Sequence, residues 1–282
     1  MKINTISATD PLFPSRLQDI PQRPDHLYAV GSIPQYSLGV TIVGTRKPTA
    51  YGRLVTQDIA SRLAERGGAI ISGLAHGVDA IAHEAALKAG GITVAVLPAG
   101  LDHIYPSTHR GLATKIVEHG GALISEYEPG TPPLPYRFLE RNRLVSGLGD
   151  IVIVTEASTR SGTMNTTMHA LEQGKDVYAV PGPITSAMSA GCNALIAQGA
   201  TPIVNIEQFI DQLLPTSAGV QTSLLAQTAE EQTILDLIKI GVSEGDELQQ
   251  KSKLEPHVYF QTITLLEIRG VIRSLGGNRW GL

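Results

Sequence analysis

The chain has 282 residues, 42% of them hydrophobic and 17% charged, with a formal net charge of −4. That balance excludes a disordered or fibrous chain and leaves room for one large core and a small second domain. The slightly acidic total advertises no polyanionic partner, although a local row of Arg, Lys and backbone N–H groups binds phosphate whatever the remainder carries.

Residues 1–36 contain Pro11, Pro14, Pro21, Pro24 and Pro34 and read as an extended N-terminal arm lying on the domain that follows. From Val40 onward, short apolar runs alternate with helical patterns: 40–43, 69–71, 92–97, 122–124, 151–154, 177–180 and 202–204. Near-continuous Val/Ile runs imply burial on both faces, so residues 37–214 are expected to form an α/β, doubly wound, mostly parallel sheet covered by helices. Helices ending at Gly67-Gly68 and Gly90-Gly91 fit a left-handed C-cap. In sheets of this kind ligands bind beyond the carboxyl ends of the strands, so the turns that follow the runs are where chemistry is sought.

Four such turns stand out. Gly44-Thr45-Arg46 follows the first core strand: glycine lets a phosphate approach, Thr45 offers a hydroxyl, and Arg46 pairs with two phosphate oxygens. Ser72-Gly73 opens the second turn, which continues through His76, Asp79 and His83. Those last three residues raise the idea of a metal site, but a capping Asp and a hydrogen-bonded His are commoner uses of such residues. The third stretch, Tyr136 to Arg143, is the most basic in the chain. On a helix Arg137 and Arg141 share a face, whereas Arg143 lies about 200° from Arg141, so Arg141 and Arg143 should have different duties. Phe138, near the Arg141 face, is a candidate stacking surface for an unpaired base, and Asn142 lies between the two arginines. Ser161-Gly162-Thr163, at a helix start, is a fourth anion-binding turn or else a simple N-cap. No G-x-G-x-x-G follows the first strand and no G-x-x-x-x-G-K-[ST] occurs, so NAD and ATP lack their usual support.

Cys192 is the single cysteine, which excludes an intrachain disulfide or a thiolate metal cage and fits a reducing compartment. No signal-peptide pattern or run of about 18 apolar residues is found, so a cytoplasmic protein without membrane contact is expected. Residues 215–227 read as a linker. Beyond them, 228–282 show three helical patterns and two short β runs about Gly276-Gly277-Asn278, a small winged-helix domain.

Taken together, the motifs resemble the DNA-processing protein A (DprA/Smf) family. The resemblance rests on Ile42-Val43-Gly44-Thr45-Arg46 with Tyr51-Gly52, Ser72 to Asp79 with Ala82-His83, and Gly100-Leu101-Asp102 with Tyr105-Pro106. It continues through Ser125-Glu126, Phe138 with 141–148, Glu156-Ala157, Ser161-Gly162-Thr163 and Val180-Pro181-Gly182. It implies an extended Rossmann fold that binds single-stranded DNA, forms a homodimer and helps load a RecA-type recombinase in natural transformation. Single-strand-binding protein is a further candidate partner. No cofactor, metal or catalytic step is implied. The DNA-binding residues it implies are Gly44, Thr45, Arg46, Ser72, Gly73, Phe138, Arg141, Asn142, Arg143, Ser161, Gly162 and Thr163. His76, His109 and Asn165 stand where the family often has Arg or Lys, Asn, and an apolar residue.

Two other readings compete. A nucleotide-processing phosphoribohydrolase on a related scaffold would use Glu126 and Glu156 as acid and base, but its Pro-Gly-Gly-x-Gly-Thr-x-x-Glu signature is absent. A winged-helix transcription regulator would read duplex DNA through the third helix of the tail, whose His257, Glu267 and Arg269 make a sparse phosphate-binding set.

Overall fold

The computed structural model describes residues 2–215, 228–269, 271–274 and 278–281, with Ile268 and Arg273 described through the backbone alone. The chain divides into two compact units, 1–214 and 215–282. Of the expected linker only Pro215 falls within the described residues.

The first unit is built on a nine-stranded sheet. Its elements in chain order are β1 Asn4–Ser7, β2 His26–Val30, β3 Gly39–Val43, α1 Ala50–Glu65, β4 Ala69–Ser72, α2 Val78–Lys88, β5 Thr93–Val96, α3 Arg110–Glu118 and β6 Ala122–Ser125. Then come α4 Pro135–Leu148, β7 Ile151–Val154, α5 Thr163–Glu172, β8 Asp176–Ala179, α6 Ala190–Ala197, β9 Thr201–Pro202 and α7 Ile206–Leu213. The strand order is β1-β2-β6-β5-β4-β3-β7-β8-β9, parallel from β6 to β9. Alternation along each strand feeds two cores. Val40 and Ile42 of β3, with Ile70, Ile151 and Ile153, pack beneath α1 and α2. Val43, with Ile71, Val152 and Val154, faces α4 through Leu144, Val145 and Leu148. The Val/Ile runs are therefore buried from both sides, as a doubly wound sheet requires.

The N-terminal residues correct the sequence reading. They are not an arm laid on a finished domain, because β1 and β2 extend the sheet, with β2 antiparallel to β6. Their apolar residues, Phe13, Leu17, Ile20 and Leu27, are buried in the core under α4. Arg16 fixes the segment by donating to both Asp150 carboxylate oxygens at 2.8 and 2.9 Å. The prolines hid this because they fall outside the two strands, Pro11, Pro14, Pro21 and Pro24 in the connection between them and Pro34 after β2.

Between β4 and β7 the order of the sheet reverses about β3: the chain moves outward one way through β4, β5 and β6, then crosses to β7, β8 and β9 on the other side. The loops after β3, β4 and β7 consequently diverge and leave a crevice between them, the usual ligand position in an open α/β sheet.

The second unit has three helices, α8 Ala229–Lys239, α9 Gly245–Ser252 and α10 Pro256–Ile268, and a ladder of β10 Arg273–Ser274 with β11 Trp280–Gly281. Ile234, Leu235, Leu248, Tyr259, Ile263 and Leu266 form its core. The Tyr259 hydroxyl donates to Gly245 O at 2.9 Å, tying α10 to the start of α9. Gly276 and Gly277 of the expected turn lie outside the described residues.

Candidate nucleic-acid interface

At the switch point lies an open crevice of about 380 Å³, bordered by the turns after β3, β4 and β7 and by the first half of α4. Nine of the sequence-selected residues line it: Gly44, Arg46, Gly73, Phe138, Arg141, Asn142, Ser161, Gly162 and Thr163. Thr45, Ser72 and Arg143 do not.

Local structure explains the division. After β3 the backbone of Thr45 is clamped, its N–H donating to Glu156 O at 2.7 Å and its carbonyl accepting from Val78 N–H at 3.1 Å. This buries Thr45 and turns the next residue outward. A Cβ on Gly44 would come within 2.6 Å of Val78 and 2.7 Å of the Glu156 carbonyl, so only glycine allows the three segments to approach so closely. Glu156 also accepts from Thr49 N–H (2.8 Å) and Thr49 Oγ1 (2.6 Å), and Thr49 in turn accepts from Gly52 N–H to cap α1. With its neighbours held, exposed Arg46 carries its guanidinium 5.2 Å from the centre of the Phe138 ring. Among the described residues it has no carboxylate partner.

Pro135 opens α4 at a position that needs no amide donor, and the helix is buried from Arg141 to Leu148 while its first turns stand clear. The 200° separation places Arg141 and Arg143 in unlike surroundings, but both brace the fold. Arg141 is 4% exposed and donates through Nη1 to Gly73 O at 2.8 Å and to Val96 O, stitching the ends of β4 and β5 to α4. A Cβ on Gly73 would meet this guanidinium at 2.6 Å. Burial lowers the Arg141 pKa to about 10, against the countervailing charge of Asp79. It therefore remains a cation at neutral pH. Arg143 leaves the crevice altogether: its Nη atoms pair with both Glu126 oxygens at 2.8 and 2.6 Å, and its Nε donates to Gln22 O of the N-terminal segment. Ser72 is fully buried, its hydroxyl donating to Ile42 O at 2.7 Å.

Asp79 accepts from the amides of Gly73 and Ala75 at 3.1 and 3.3 Å, closing the turn after β4. Burial raises its pKa. His83 is wholly buried with Nδ1 2.6 Å from Thr93 Oγ1, and burial lowers its pKa to about 3. Both side chains thus have structural partners, and no group of three His, Cys, Asp or Glu side chains suited to a metal occurs among the described residues.

The opposite wall is polar. Asn142 Nδ2 donates to Asn165 Oδ1 at 3.0 Å, joining α4 to the first turn of α5. Ser161 Oγ donates to Thr163 Oγ1 at 2.8 Å and accepts from Thr163 N–H, closing a tight turn just before α5 whose residues border the opening. Tyr105, part of a motif that carries the family resemblance, was not among the residues expected to bind DNA. Its ring meets Phe138 edge-to-face at 5.5 Å and lengthens the aromatic wall. A Tyr-Pro pair in a loop carries no signal for such a contact, because the distance from Phe138 along the chain gives no hint of adjacency. The crevice therefore sets an exposed arginine and one aromatic ring opposite hydroxyls and amides, groups whose chemistry is complementary to a phosphodiester backbone and an unpaired base.

A family model described as DNA recombination-mediator protein A matches residues 4–214, which is the whole of the first unit apart from its first three residues. The chain belongs to the DNA recombination-mediator protein A family. A DNA processing protein DprA of Bacillus subtilis is 40% identical over 213 residues, covering 75% of this chain and 71% of that protein. Protein Smf of Escherichia coli is 41% identical over 209 residues, covering 74% and 56%. A DprA from Mycobacterium tuberculosis is 41% identical over 247 residues, covering 85% and 63%, so the chain spans less than two thirds of the length of these last two relatives. Among solved structures, DNA processing protein A from Helicobacter pylori superposes with a TM-score of 0.69 at 36% identity, covering 76% of this chain and 96% of that one. That protein is described for its single-stranded DNA binding mode. The Streptococcus pneumoniae DprA structure gives 0.68 at 36% identity, covering 75% of each chain. Among the described residues, no helix of this family member is long and apolar enough to cross a membrane.

Proposed function

We propose that this chain is a single-stranded DNA-binding protein that holds the strand in the switch-point crevice, protects incoming DNA and helps load a RecA-type recombinase during natural transformation. The observation that carries the reading is the placement of exposed Arg46 over Phe138, facing Ser161, Gly162 and Thr163 across an open crevice. An open, basic and aromatic cleft suits a flexible strand whose bases are unpaired. The H. pylori relative, which is described as binding single strands, supports it. Gly44, Arg46, Gly73, Phe138, Asn142, Ser161, Gly162 and Thr163 form the contact surface. Arg141 is its charged floor, while Thr45, Ser72 and Arg143 hold its walls in place. A homodimer in the cytoplasm, with the recombinase and single-strand-binding protein as partners, completes the reading on the strength of the family.

The role is binding, not catalysis. Glu126 and Glu156, the carboxylates a phosphoribohydrolase would need, are held by Arg143 and by Thr49, and neither borders the crevice. The second unit reads as a winged helix that contacts protein: Arg269, on its third helical segment, is paired with Glu231 at 3.0 and 3.2 Å and is turned away from phosphate binding. Fluorescence anisotropy of labelled oligothymidine, against a duplex of equal length, tests the proposal. The strand is expected to bind in preference to the duplex and Arg46→Ala to weaken it; equal binding of both, or an inert Arg46→Ala, contradicts it.

A further inference from the structure

Asn142 enters the crevice with one end of its amide held and the other end free. It lies one turn along α4 from Phe138, so the two side chains share a helix face, with Cβ atoms about 5–6 Å apart, and both line the opening. Asn142 is only 9% exposed. Its Nδ2 donates to Asn165 Oδ1 at 3.0 Å and lies 3.5 Å from Gly162 O. A backbone carbonyl only accepts, so turning the amide over would set Oδ1 against the Gly162 oxygen and is disfavoured. Oδ1 is therefore the end that is left over. Among the described residues it has no hydrogen-bond partner, and it is open to solvent.

We propose that Asn142 reads a base: a base held against Phe138 turns its edge to Asn142 Oδ1, so the crevice favours cytosine, adenine or guanine, which carry an exocyclic amino group, over thymine. Asn165 is the positioning residue that sets this choice. The inference rests on the single-strand reading of the crevice and adds which bases that site accepts.

An amide oxygen accepts and cannot donate. The amino groups of cytosine, adenine and guanine donate to it, whereas thymine carries O4, a second acceptor, where cytosine carries its amino group. The N3–H of thymine is a donor, but O2 and O4 flank it, and their repulsion of Oδ1 offsets part of that bond. Opposite O4 the Asn142 oxygen loses its water and gains no donor, a loss that a largely buried group does not recover. The neighbouring side chains leave this choice to Asn142. The Ser161 and Thr163 hydroxyls can turn to donate or to accept, so they suit either kind of base edge. Arg141 is spent on Gly73 O and Val96 O, and Asp79, the other acceptor in the lining, is held by the amides of Gly73 and Ala75.

Oligodeoxycytidine and oligodeoxyuridine of equal length are the probes, read by fluorescence anisotropy at neutral pH, where both bases are uncharged. Uracil presents the same hydrogen-bonding edge as thymine without its methyl group, so the two strands differ only at the edge in question. The cytidine strand is expected to bind about two- to tenfold more tightly, the value of one neutral hydrogen bond. In Asn142→Leu the two strands should bind alike. Asn165→Leu frees the Asn142 amide to turn, so there too the preference should collapse. Asn165→Asp keeps an acceptor for Asn142 Nδ2, and should weaken both strands through its charge yet preserve their ratio. A general loosening of the site would not produce that contrast. The inference is overturned by equal binding of the two strands to the parent, by a preference for uridine, by a cytidine preference that survives either leucine variant, or by its loss in Asn165→Asp. The crevice reading then stands as long as Arg46→Ala still weakens both strands. If neither strand binds, or Arg46→Ala is inert, both readings fall.

Discussion

Replacing Phe138 by alanine separates stacking from charge. The ring is half-buried, has the Arg46 guanidinium over it at 5.2 Å, and meets the edge-on Tyr105 ring at 5.5 Å. One base stacked on an aromatic ring contributes about 1–3 kcal/mol. At about 1.4 kcal/mol per factor of ten, the dissociation constant for oligothymidine should rise by roughly five- to 150-fold. The cation–π interaction with Arg46 is worth about 0.5–1 kcal/mol at an exposed site and disappears from free and bound protein alike, so it changes stability a little and affinity hardly at all. Because phenylalanine carries no charge, the slope of log affinity against log salt should stay as it is. In Arg46→Ala that slope should shrink by about 0.7 for each phosphate that the arginine no longer neutralises. Anisotropy titrations over a salt series read both numbers. Affinity within twofold of the parent, or a shallower salt slope in Phe138→Ala, would refute the idea that the ring stacks a base.

Arg143→Ala should cost about 3 kcal/mol in chemical denaturation by leaving the partly buried Glu126 without its partner, and the refolded variant should bind oligothymidine within about threefold of the parent. Arg141→Met is expected to destabilise the first unit by a similar amount, because Gly73 O and Val96 O lose their donor and Asp79 its countercharge; near-parental denaturation midpoints would contradict its bracing role. Gly73→Ala should destabilise through its collision with Arg141, a loss that a smaller residue at 141 partly offsets. Buried His83 has a folded pKa of about 3 against an unfolded value near 6.5. A depressed folded pKa means that stability is fully present above the unfolded value and is lost as pH falls through the window from about 6.5 to about 3, by up to about 1.4 kcal/mol per pH unit. His83→Gln should flatten that part of the stability curve, and an unaltered acid limb would show that another group governs it.

The two kinds of signal in the sequence differ in reach. Val40–Val43 and Ile151–Val154 were legible as doubly buried strands because burial on both faces leaves an uninterrupted β-branched run, and the glycine pairs at 67–68 and 90–91 do end their helices with Gly67 and Gly90 at positive φ. His26–Val30 was not legible, because the strand that joins it to the rest of the sheet is β6, almost a hundred residues further on, and its mixed composition shows no such run. The same limit applied within the site. Periodicity on α4 told Arg141 from Arg143, but it did not reveal that the carbonyl ends of β4 and β5 wait beneath one and Glu126 beside the other. Arg46 was chosen for its chemistry; its position over Phe138 depends on Glu156 and Val78 clamping Thr45, three segments far apart in the chain.

A structure of the chain with bound oligothymidine tests the central claim most directly. The account predicts a phosphate at Arg46, a base stacked on Phe138 and backbone oxygens near Ser161 and Thr163. A strand bound elsewhere with the crevice empty would contradict it.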